Sequence, residues 1–236
     1  MEVQIAVSKI NKYATSTSGD TVEVIERPNG GLSIVMADGQ SSGRGAKWVS
    51  SFVVRKVISL LGDGVRDGAA ARAASDALFT ERNGKVSATL NILSVEMQTS
   101  TLVVTRNNPA PVLVATDEAI TCLNEKSTPI GLRRDTRPSI CEIPLEIGLT
   151  VVVYTDGLVF AGSRDGLSME VDTCLKSSLE ESDPTPQEIA DNLLEYALKL
   201  DRGRPVDDTS IIVLRVMAYP ETTKVRRMSV SLPFGS

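Results

Sequence analysis

The amino-acid sequence predicts an α+β fold, a layered α-β-β-α sandwich in which two mainly antiparallel sheets are flanked by helices. Helical patterns come in two blocks, separated by a long run of short strand patterns, which is typical of layered α+β domains. Most links between consecutive strands are too short for the crossovers that parallel strands need. These two observations together predict the fold class.

The first third of the chain is predicted to contain three strands followed by two helices. Alternating apolar residues predict the strands, over 3–10, 21–26 and 32–38. Pro28-Asn29-Gly30 between the last two predicts a hairpin, because Asn and Gly accept positive φ. A helical pattern begins at Gly43, and a second, alanine-rich pattern covers 65–82.

The rest of the chain returns to strands before a second helical block. Apolar runs punctuated by turn residues predict six strands, over 86–96, 100–107, 111–116, 119–123, 139–145 and 149–156. Helical patterns follow, and Thr185-Pro186 predicts the N-cap and first position of a helix. A strand over 209–216 closes the main body. We therefore expect one domain over 1–217 and a tail over 218–236, either an edge strand or a mobile arm.

Composition and charge exclude several classes of function. The 236 residues include 25 Lys and Arg against 30 Asp and Glu, a net charge of −5, so we expect no nucleic-acid partner. No apolar run approaches the ~20 residues of a membrane helix, and we expect no membrane association. The first residues do not have the pattern of a signal peptide. We expect a cytoplasmic protein.

The chain has no histidine and only three cysteines. The missing histidine excludes a Ser-His-Asp triad, a Cys-His pair and a zinc site with imidazole ligands. Cys122, Cys141 and Cys174 are too few and too widely spaced for a disulfide framework. None is followed six positions later by the Arg of a cysteine-phosphatase loop. We expect all three to be small buried side chains.

Two aspartates are predicted to meet at one end of the first hairpin. If residues 28–31 form its loop, Asp20 lies opposite Gly39 and Asp38 lies opposite Thr21. Facing residues of an antiparallel pair have Cβ atoms roughly 5 Å apart. The two carboxylates are therefore expected within reach of one another.

Two further aspartates are predicted to join them. Asp156 ends a strongly apolar strand, and Asp207 precedes the strand that returns to the same sheet edge. Asp38 and Asp156 are each followed by a glycine, which allows a sharp turn and lets its carbonyl face whatever the aspartate binds. Converging carboxylates repel unless their pKa rises or a cation neutralises them. Oxygen ligands favour Mg²⁺ or Mn²⁺ as that cation.

The glycine-rich loop after Asp38 does not match the nucleotide-binding patterns. The Walker pattern G-x-x-x-x-G-K-[ST] fails because Arg44 stands where its second glycine belongs. The pattern G-x-G-x-x-G fails at Trp48, where close packing of helix and strand needs a small residue. The chemistry therefore falls to Asp38, and Gly43 and Gly45 are expected to let the first helix start close to it.

Four motifs, in their order along the chain, resemble those of type-2C metal-dependent serine/threonine protein phosphatases. They are SGD at 18–20, ADG at 37–39, TDG at 155–157 and DDTS at 207–210. The similarity covers roughly residues 3 to 217 and is greatest to the bacterial branch that includes SpoIIE, RsbU and RsbX, which STPIGL at 127–132 also resembles. Length and the early hairpin look most like the RsbX type, a stand-alone phosphatase of stressosome signalling.

The resemblance implies a β-sandwich flanked by helices, with a site for two Mn²⁺ or Mg²⁺ ions. It implies that Asp38 bridges the ions and that Gly39 offers its carbonyl to one of them. Asp20 is then expected to hold the ion beside Gly39, directly or through water. Asp156 and Asp207 are expected to hold the other ion. Two neighbours of these ligands are expected to support the site without being ligands, namely Asp208 and Gly157.

The resemblance also implies the reaction and the partner. A water activated by two metal ions would hydrolyse phosphoserine or phosphothreonine on a protein, with no side chain as nucleophile. The expected partner is a phosphorylated regulator of a bacterial stress or sporulation cascade, such as a stressosome scaffold, a switch protein or an anti-sigma-factor antagonist. The phosphate-binding cation is unknown, with Lys12, Arg27 and Arg44 as candidates. Asn107 or Asn108 replaces a further metal-binding Asp of larger relatives.

Two alternatives remain open from the sequence. A haloacid-dehalogenase-like phosphohydrolase with an aspartate nucleophile fits the segment VVVYTDG, although that class needs D-x-D and the first position here is Tyr154. A catalytically inactive module that binds a partner is the other alternative, and the retained acids argue against it.

Overall fold

The computed structural model describes residues 1–181, 183–218, 225–231 and 233. The strands are β1 Glu2–Ile10, β2 Asp20–Glu26, β3 Leu32–Gly39, β4 Ala88–Glu96, β5 Thr101–Asn107, β6 Val112–Ala115, β7 Ile120–Leu123, β8 Ser139–Pro144, β9 Thr150–Tyr154 and β10 Thr209–Met217. The helices are α1 Gly43–Gly62, α2 Asp67–Arg82, α3 Asp156–Val159, α4 Val171–Glu181 and α5 Pro186–Leu200.

Two five-stranded sheets pack face to face. One has the order β1-β10-β9-β6-β7 and the other β2-β3-β4-β5-β8, and the strand pairs within both are antiparallel. One apolar cluster lies between the sheets, a second under α4 and α5, and a third under α1 and α2. The predicted α-β-β-α sandwich is confirmed.

The register of the first hairpin differs by one residue from the prediction. Asp20 lies opposite Asp38 and Thr21 opposite Ala37. The predicted four-residue loop was wrong, because the Arg27 N–H donates to the carbonyl of Gly31 and leaves a loop of three residues. Gly30 closes it at φ 87°, the left-handed position that a three-residue hairpin loop requires.

The close approach of α1 to β3 depends on Gly39. Of the two glycines predicted to let the helix start there, Gly43 has φ 70° and so allows the turn into α1, whereas Gly45 has no such role. A Cβ on Gly39 would lie 2.1 Å from the backbone oxygen of Ala46, whereas one on Gly43 or Gly45 would meet nothing within 4 Å. The helix axis therefore lies closer to the strand at this point than any side chain on residue 39 allows.

Three further features concern the cap of α5, the cysteines and the length of the helices. Thr185 caps α5 as predicted, accepting from the Glu188 N–H in a capping box. The cysteines are free as predicted, but Cys122 is exposed and Cys141 and Cys174 are half-buried, so their predicted burial was wrong. Among the helices of the described residues, none combines the length and apolar content that crossing a bilayer requires.

Only part of the predicted tail over 218–236 belongs to the described residues. Residues 225–231 have no strand assignment, and Arg226 reaches the carbonyl of Gly30 at 2.8 Å and Glu26 Oε1 at 3.3 Å. Residues 219–224, 232 and 234–236 lie outside the described part. The division at residue 217 stays a prediction.

Candidate metal centre

A cavity of about 410 Å³, here called the acidic cavity, opens where β3, β9 and β10 end. Five of the seven predicted site residues line it: Asp38, Gly39, Asp156, Asp207 and Asp208. Neutral polar residues line another part of its wall: Gln40, Ser41, Ser42, Ser87 and Thr89. Pro129, from the predicted STPIGL motif, also lines it. The two remaining predicted residues, Asp20 and Gly157, do not line the cavity.

Asp20 is fully buried directly behind Asp38, its partner across the hairpin. Its Oδ2 accepts hydrogen bonds from Ser210 Oγ at 2.6 Å and from Thr155 Oγ1 at 3.1 Å. Its Oδ1 has no hydrogen-bond partner among the described residues. Asp20 belongs to one sheet, whereas Ser210 belongs to the other and Thr155 directly follows β9 of that other sheet, so this carboxylate joins the two sheets beneath the cavity.

The second pair of acids lies where β9 ends and β10 begins. Asp156 begins α3 just after β9. Residue 157 has room only for glycine, because a Cβ there would lie 2.1 Å from the backbone oxygen of Asp208. Asp207 is partly exposed to the cavity, whereas Asp208 is buried. Asp208 instead accepts from the N–H groups of Lys12 and Gly19, at 2.9 and 2.7 Å. These bonds hold the segment between β1 and β2, and the predicted role of Asp208 beside the metal ligands stays a prediction.

Burial and mutual repulsion raise the pKa of the central acids. The pKa of Asp38 rises to about 9, mainly because it is buried and further because the charges of Asp20 and Asp156 lie close by. Burial also raises the pKa of Asp20 and, with the charge of Asp207, that of Asp156. The acids thus lie close enough to resist full ionisation unless a cation joins them.

Three lysines counter this negative charge. Lys12 lines the acidic cavity, with its Nζ 3.5 Å from Asp207 Oδ1. Lys9 and Lys47 lie deeper, and both donate to the backbone carbonyl of Asp20, at 2.7 and 2.8 Å. Burial, and next the charge of Lys47, lower the pKa of Lys9.

The structure separates the three candidate phosphate-binding cations. Lys12 is the one that lines the acidic cavity. Arg27 is buried elsewhere, where its Nη1 pairs with Asp67 at 2.7 Å. Arg44 is exposed and lines a neighbouring groove. Of the three candidates, Lys12 therefore lies nearest the carboxylates that line the acidic cavity.

The donor set fits hard divalent cations. Carboxylates and the Gly39 carbonyl supply oxygen alone, and the orphaned Oδ1 of Asp20 is a buried acceptor that a cation or a water bound to it would satisfy. Within the described ranges, no three acids already surround one point at ligand spacing. Mg²⁺ commonly retains several waters and uses only one or two carboxylates, so this spacing is compatible with its binding.

Three residues near the cavity have structural roles. Asn108 donates from Nδ2 to the backbone carbonyl of Tyr154 at 3.2 Å, and Asn107 donates to that of Thr128 at 3.0 Å. Tyr154 is itself buried in the apolar cluster under α4 and α5. It stands where a haloacid-dehalogenase-like site needs its first aspartate, so the structure gives that alternative no support.

Sequence reasoning missed four residues that hold Asp20. Thr155 and Ser210 lie inside the TDG and DDTS motifs, so the motifs mark their positions, although a motif does not show which group a hydroxyl binds. Lys9 and Lys47 carried none, because β1 and α1 bring them to one carbonyl only after the sheets and helices have packed.

Comparison with known sequences gives a family match. The family model described as Stage II sporulation protein E (SpoIIE) matches residues 28–217. The SpoIIE proteins of Priestia megaterium and Bacillus subtilis (strain 168) are each 21% identical to the chain, over 215 and 200 residues. The matches cover 91% and 84% of this chain. They cover 36% and 24% of the relatives, so the chain spans only about a third or a quarter of their length.

Solved structures share the fold at low identity. The PP2C phosphatase domain of Bacillus subtilis SpoIIE, solved with a fragment of its regulatory domain, has a TM-score of 0.78 at 20% identity, covering 92% of this chain and 64% of that one. RsbX in complex with magnesium has 0.69 at 16%, covering 91% and 95%. The catalytic domain of the serine/threonine phosphatase PstP with two manganese ions has 0.67 at 17%, covering 92% and 99%.

Proposed function

The chain belongs to the SpoIIE family, and we propose that it is a PP2C-type, metal-dependent protein phosphatase that hydrolyses phosphoserine or phosphothreonine on a protein. The observation that carries the proposal is the acidic cavity, where Asp38, Asp156 and Asp207 lie beside the Gly39 carbonyl and one lysine. With no histidine in the chain, carboxylates and water remain for the chemistry.

We propose that the cavity holds two Mn²⁺ or Mg²⁺ ions. Asp38 and the Gly39 carbonyl would hold one, with Asp20 acting behind them directly or through water. Asp156 and Asp207 would hold the other, and Asp38 would contact both. Such ions, when bound, lower the pKa of water and offset the charge of phosphoryl oxygens.

The chain's own residues would orient the ester and shape the site. Lys12 carries the one cationic side chain among the described cavity-lining residues, so it would bind a phosphoryl oxygen as a point charge. Asp208 accepts a 2.9 Å hydrogen bond from the backbone N–H of Lys12 and so anchors the base of this side chain beside the cavity. Ser210 and Thr155 hold the Asp20 carboxylate in one orientation.

The substrate that we propose is a phosphorylated regulator of a bacterial stress or sporulation cascade. The motifs resemble those of stressosome phosphatases, and the similar curated proteins are sporulation proteins by name. A cytoplasmic location fits the three free cysteines, since thiols stay reduced there.

The test is hydrolysis of p-nitrophenyl phosphate and of a phosphoprotein with Mn²⁺, with and without EDTA. We expect activity with Mn²⁺, none with EDTA, and none in Asp38→Ala or Asp156→Ala. Asp172→Ala, an exposed acid at the start of α4, is the matched control and retains activity. Full activity in EDTA would overturn the proposal, and absence of Mn²⁺ binding by calorimetry would favour an inactive binding module.

A further inference from the structure

A second groove lies beside the acidic cavity, between α1 and β2. Its volume is about 430 Å³, and its lining includes Glu23 of β2 and Arg44, Lys47, Trp48 and Arg55 of α1. We call it the α1–β2 groove. It adjoins the metal centre, because Lys47 lines the groove while donating to the carbonyl of Asp20 and to Thr21 Oγ1.

The groove is cationic in a chain whose net charge is negative. Three basic side chains line it against the single acid Glu23, although acids outnumber basic residues in the whole sequence. Arg44 and Arg55 are exposed, and within the described residues neither takes part in a salt bridge. Their charges are therefore available to a ligand.

One wall of the groove is a sheet edge. In the described part of the chain β2 pairs only with β3. The bonds from Arg27 to Gly31 and from Gly39 to Gly19 show that odd-numbered residues of β2 face β3. Even-numbered residues therefore present their N–H and C=O groups outward. The carbonyl of Asp20 already accepts from Lys9 and Lys47, so the edge that an extended peptide can pair with runs from Val22 to Glu26.

We propose that the α1–β2 groove binds an extended acidic segment of the phosphoprotein substrate, next to the phosphorylated residue. The proposal rests on the proposed phosphatase function and adds the charge of the substrate sequence. From Arg44 to Arg55 the helix rises about 16 Å, which corresponds to roughly five residues of extended chain. The recognised segment therefore includes about five residues on one side of the phosphorylated residue.

Charge also argues against the chain's own tail as the occupant. Residues 225–231 include Arg226 and Arg227, which a cationic groove repels. Arg226 contacts Glu26 and Gly30, at the turn end of the hairpin. An acidic segment of another protein matches the groove better.

The test compares synthetic phosphoserine peptides of equal length, flanked on one side by five Asp and Glu residues or by five Lys residues. We expect wild-type protein with Mn²⁺ to give at least about tenfold higher kcat/KM for the acidic peptide, which corresponds to ~1.4 kcal/mol of additional transition-state stabilisation. Arg55→Glu should remove or reverse this preference. Lys56→Glu, the same charge reversal at the next, exposed residue outside the groove lining, should keep it.

Each outcome supports or overturns the proposal. Equal rates for the two peptides in wild-type protein, or equal effects of Arg55→Glu and Lys56→Glu, would overturn it while leaving the phosphatase function intact. p-Nitrophenyl phosphate has no flanking residues, so its hydrolysis by wild-type protein tests the proposed function separately. If the protein hydrolyses nothing, anisotropy of the fluorescein-labelled peptides decides between binding and no binding. A dimer in sedimentation that Arg55→Glu dissociates would assign the groove to a second copy and overturn the proposal.

Discussion

At the residue scale, Asp20 shows how a side chain behind the cavity can control it. It is fully buried, and one of its oxygens has no partner in the described residues. The other is held by the hydroxyl groups of Ser210 in β10 and of Thr155 just after β9. Ligand-supporting hydrogen bonds of this kind fix the orientation in which a carboxylate meets a cation. Removing one of these hydroxyl groups should therefore change metal affinity, as removing one of the acids should.

Ser210→Ala should weaken Mn²⁺ binding about 10- to 100-fold, the usual cost of losing a partner behind a ligand. The Asp20 carboxylate would lose its 2.6 Å hydrogen bond and with it a fixed orientation. Calorimetric titration with Mn²⁺ measures the change. Ser8→Ala is the control, because Ser8 is also buried and bonds an acid, Asp191, on α5. Equal affinity in wild type and Ser210→Ala would contradict the supporting role.

Lys12→Met should weaken inhibition by inorganic phosphate about tenfold or more, because a hydrogen bond to a charged group contributes about 1.5–3 kcal/mol. The methionine keeps the aliphatic stem and removes only the charge. The inhibition constant for phosphate with p-nitrophenyl phosphate as substrate gives the result, and exposed Lys199→Met is the control. An unchanged constant would exclude Lys12 as the phosphate-binding cation.

The raised pKa of Asp38 predicts how stability depends on pH. Its pKa is about 9 in the folded chain without metal and roughly 3.9 when unfolded. Between about pH 4 and 9 the folded state therefore holds a proton that the unfolded state has released. The contribution of Asp38 to the free energy of unfolding is fully present below about pH 4 and is lost as the pH rises to about 9. Melting temperatures in EDTA should fall between pH 6 and 9, less so in Asp38→Asn, and Mn²⁺ should restore them. An equal fall in the variant would contradict the assignment.

At the element scale, much of the sandwich could be predicted from local patterns. Periodicity located strands and helices to within a few residues because strand alternation and helix caps such as Thr185 are local signals. The hairpin register could not be fixed in the same way, since the loop PNGG allows three or four residues. Only the bond from Arg27 to Gly31 selects three and brings Asp20 directly opposite Asp38.

The contact of α1 with β3 predicts opposite effects for two glycines. Gly39→Ala should destabilise the protein by about 1–3 kcal/mol, because the new Cβ meets the Ala46 carbonyl at 2.1 Å. Gly45→Ala, in the same helix with nothing within 4 Å, should stabilise by about 0.5–1 kcal/mol. Urea unfolding of the two variants measures both. A stable Gly39→Ala variant would show that helix and strand can separate at little cost.

At the scale of the whole molecule, the candidate site belongs to neither sheet alone. Asp20 and Asp38 come from the β2–β3 hairpin, whereas Asp156 and Asp207 lie at the ends of β9 and β10 in the other sheet. Their meeting depends on the apolar cluster between the sheets, which sets how one sheet lies on the other. Strand patterns predict each pair of acids, but not the lysines that packing brings to them, such as Lys9.

A domain that ends at residue 217 should depend little on the tail for its stability. Arg226 joins the tail to the hairpin through an ion pair with Glu26 whose side chains are 56% and 60% exposed. Such exposed pairs contribute about 0–1 kcal/mol. A chain ending at Met217 should therefore melt within about 4 °C of the full chain and retain its activity on p-nitrophenyl phosphate. Arg226→Ala in the full chain is the matched control, which removes the contacts of Arg226 with Glu26, Gly30 and Met97 and leaves the rest of the tail in place. If truncation unfolds the protein and Arg226→Ala does not, other tail residues belong to the domain and its boundary lies beyond residue 217.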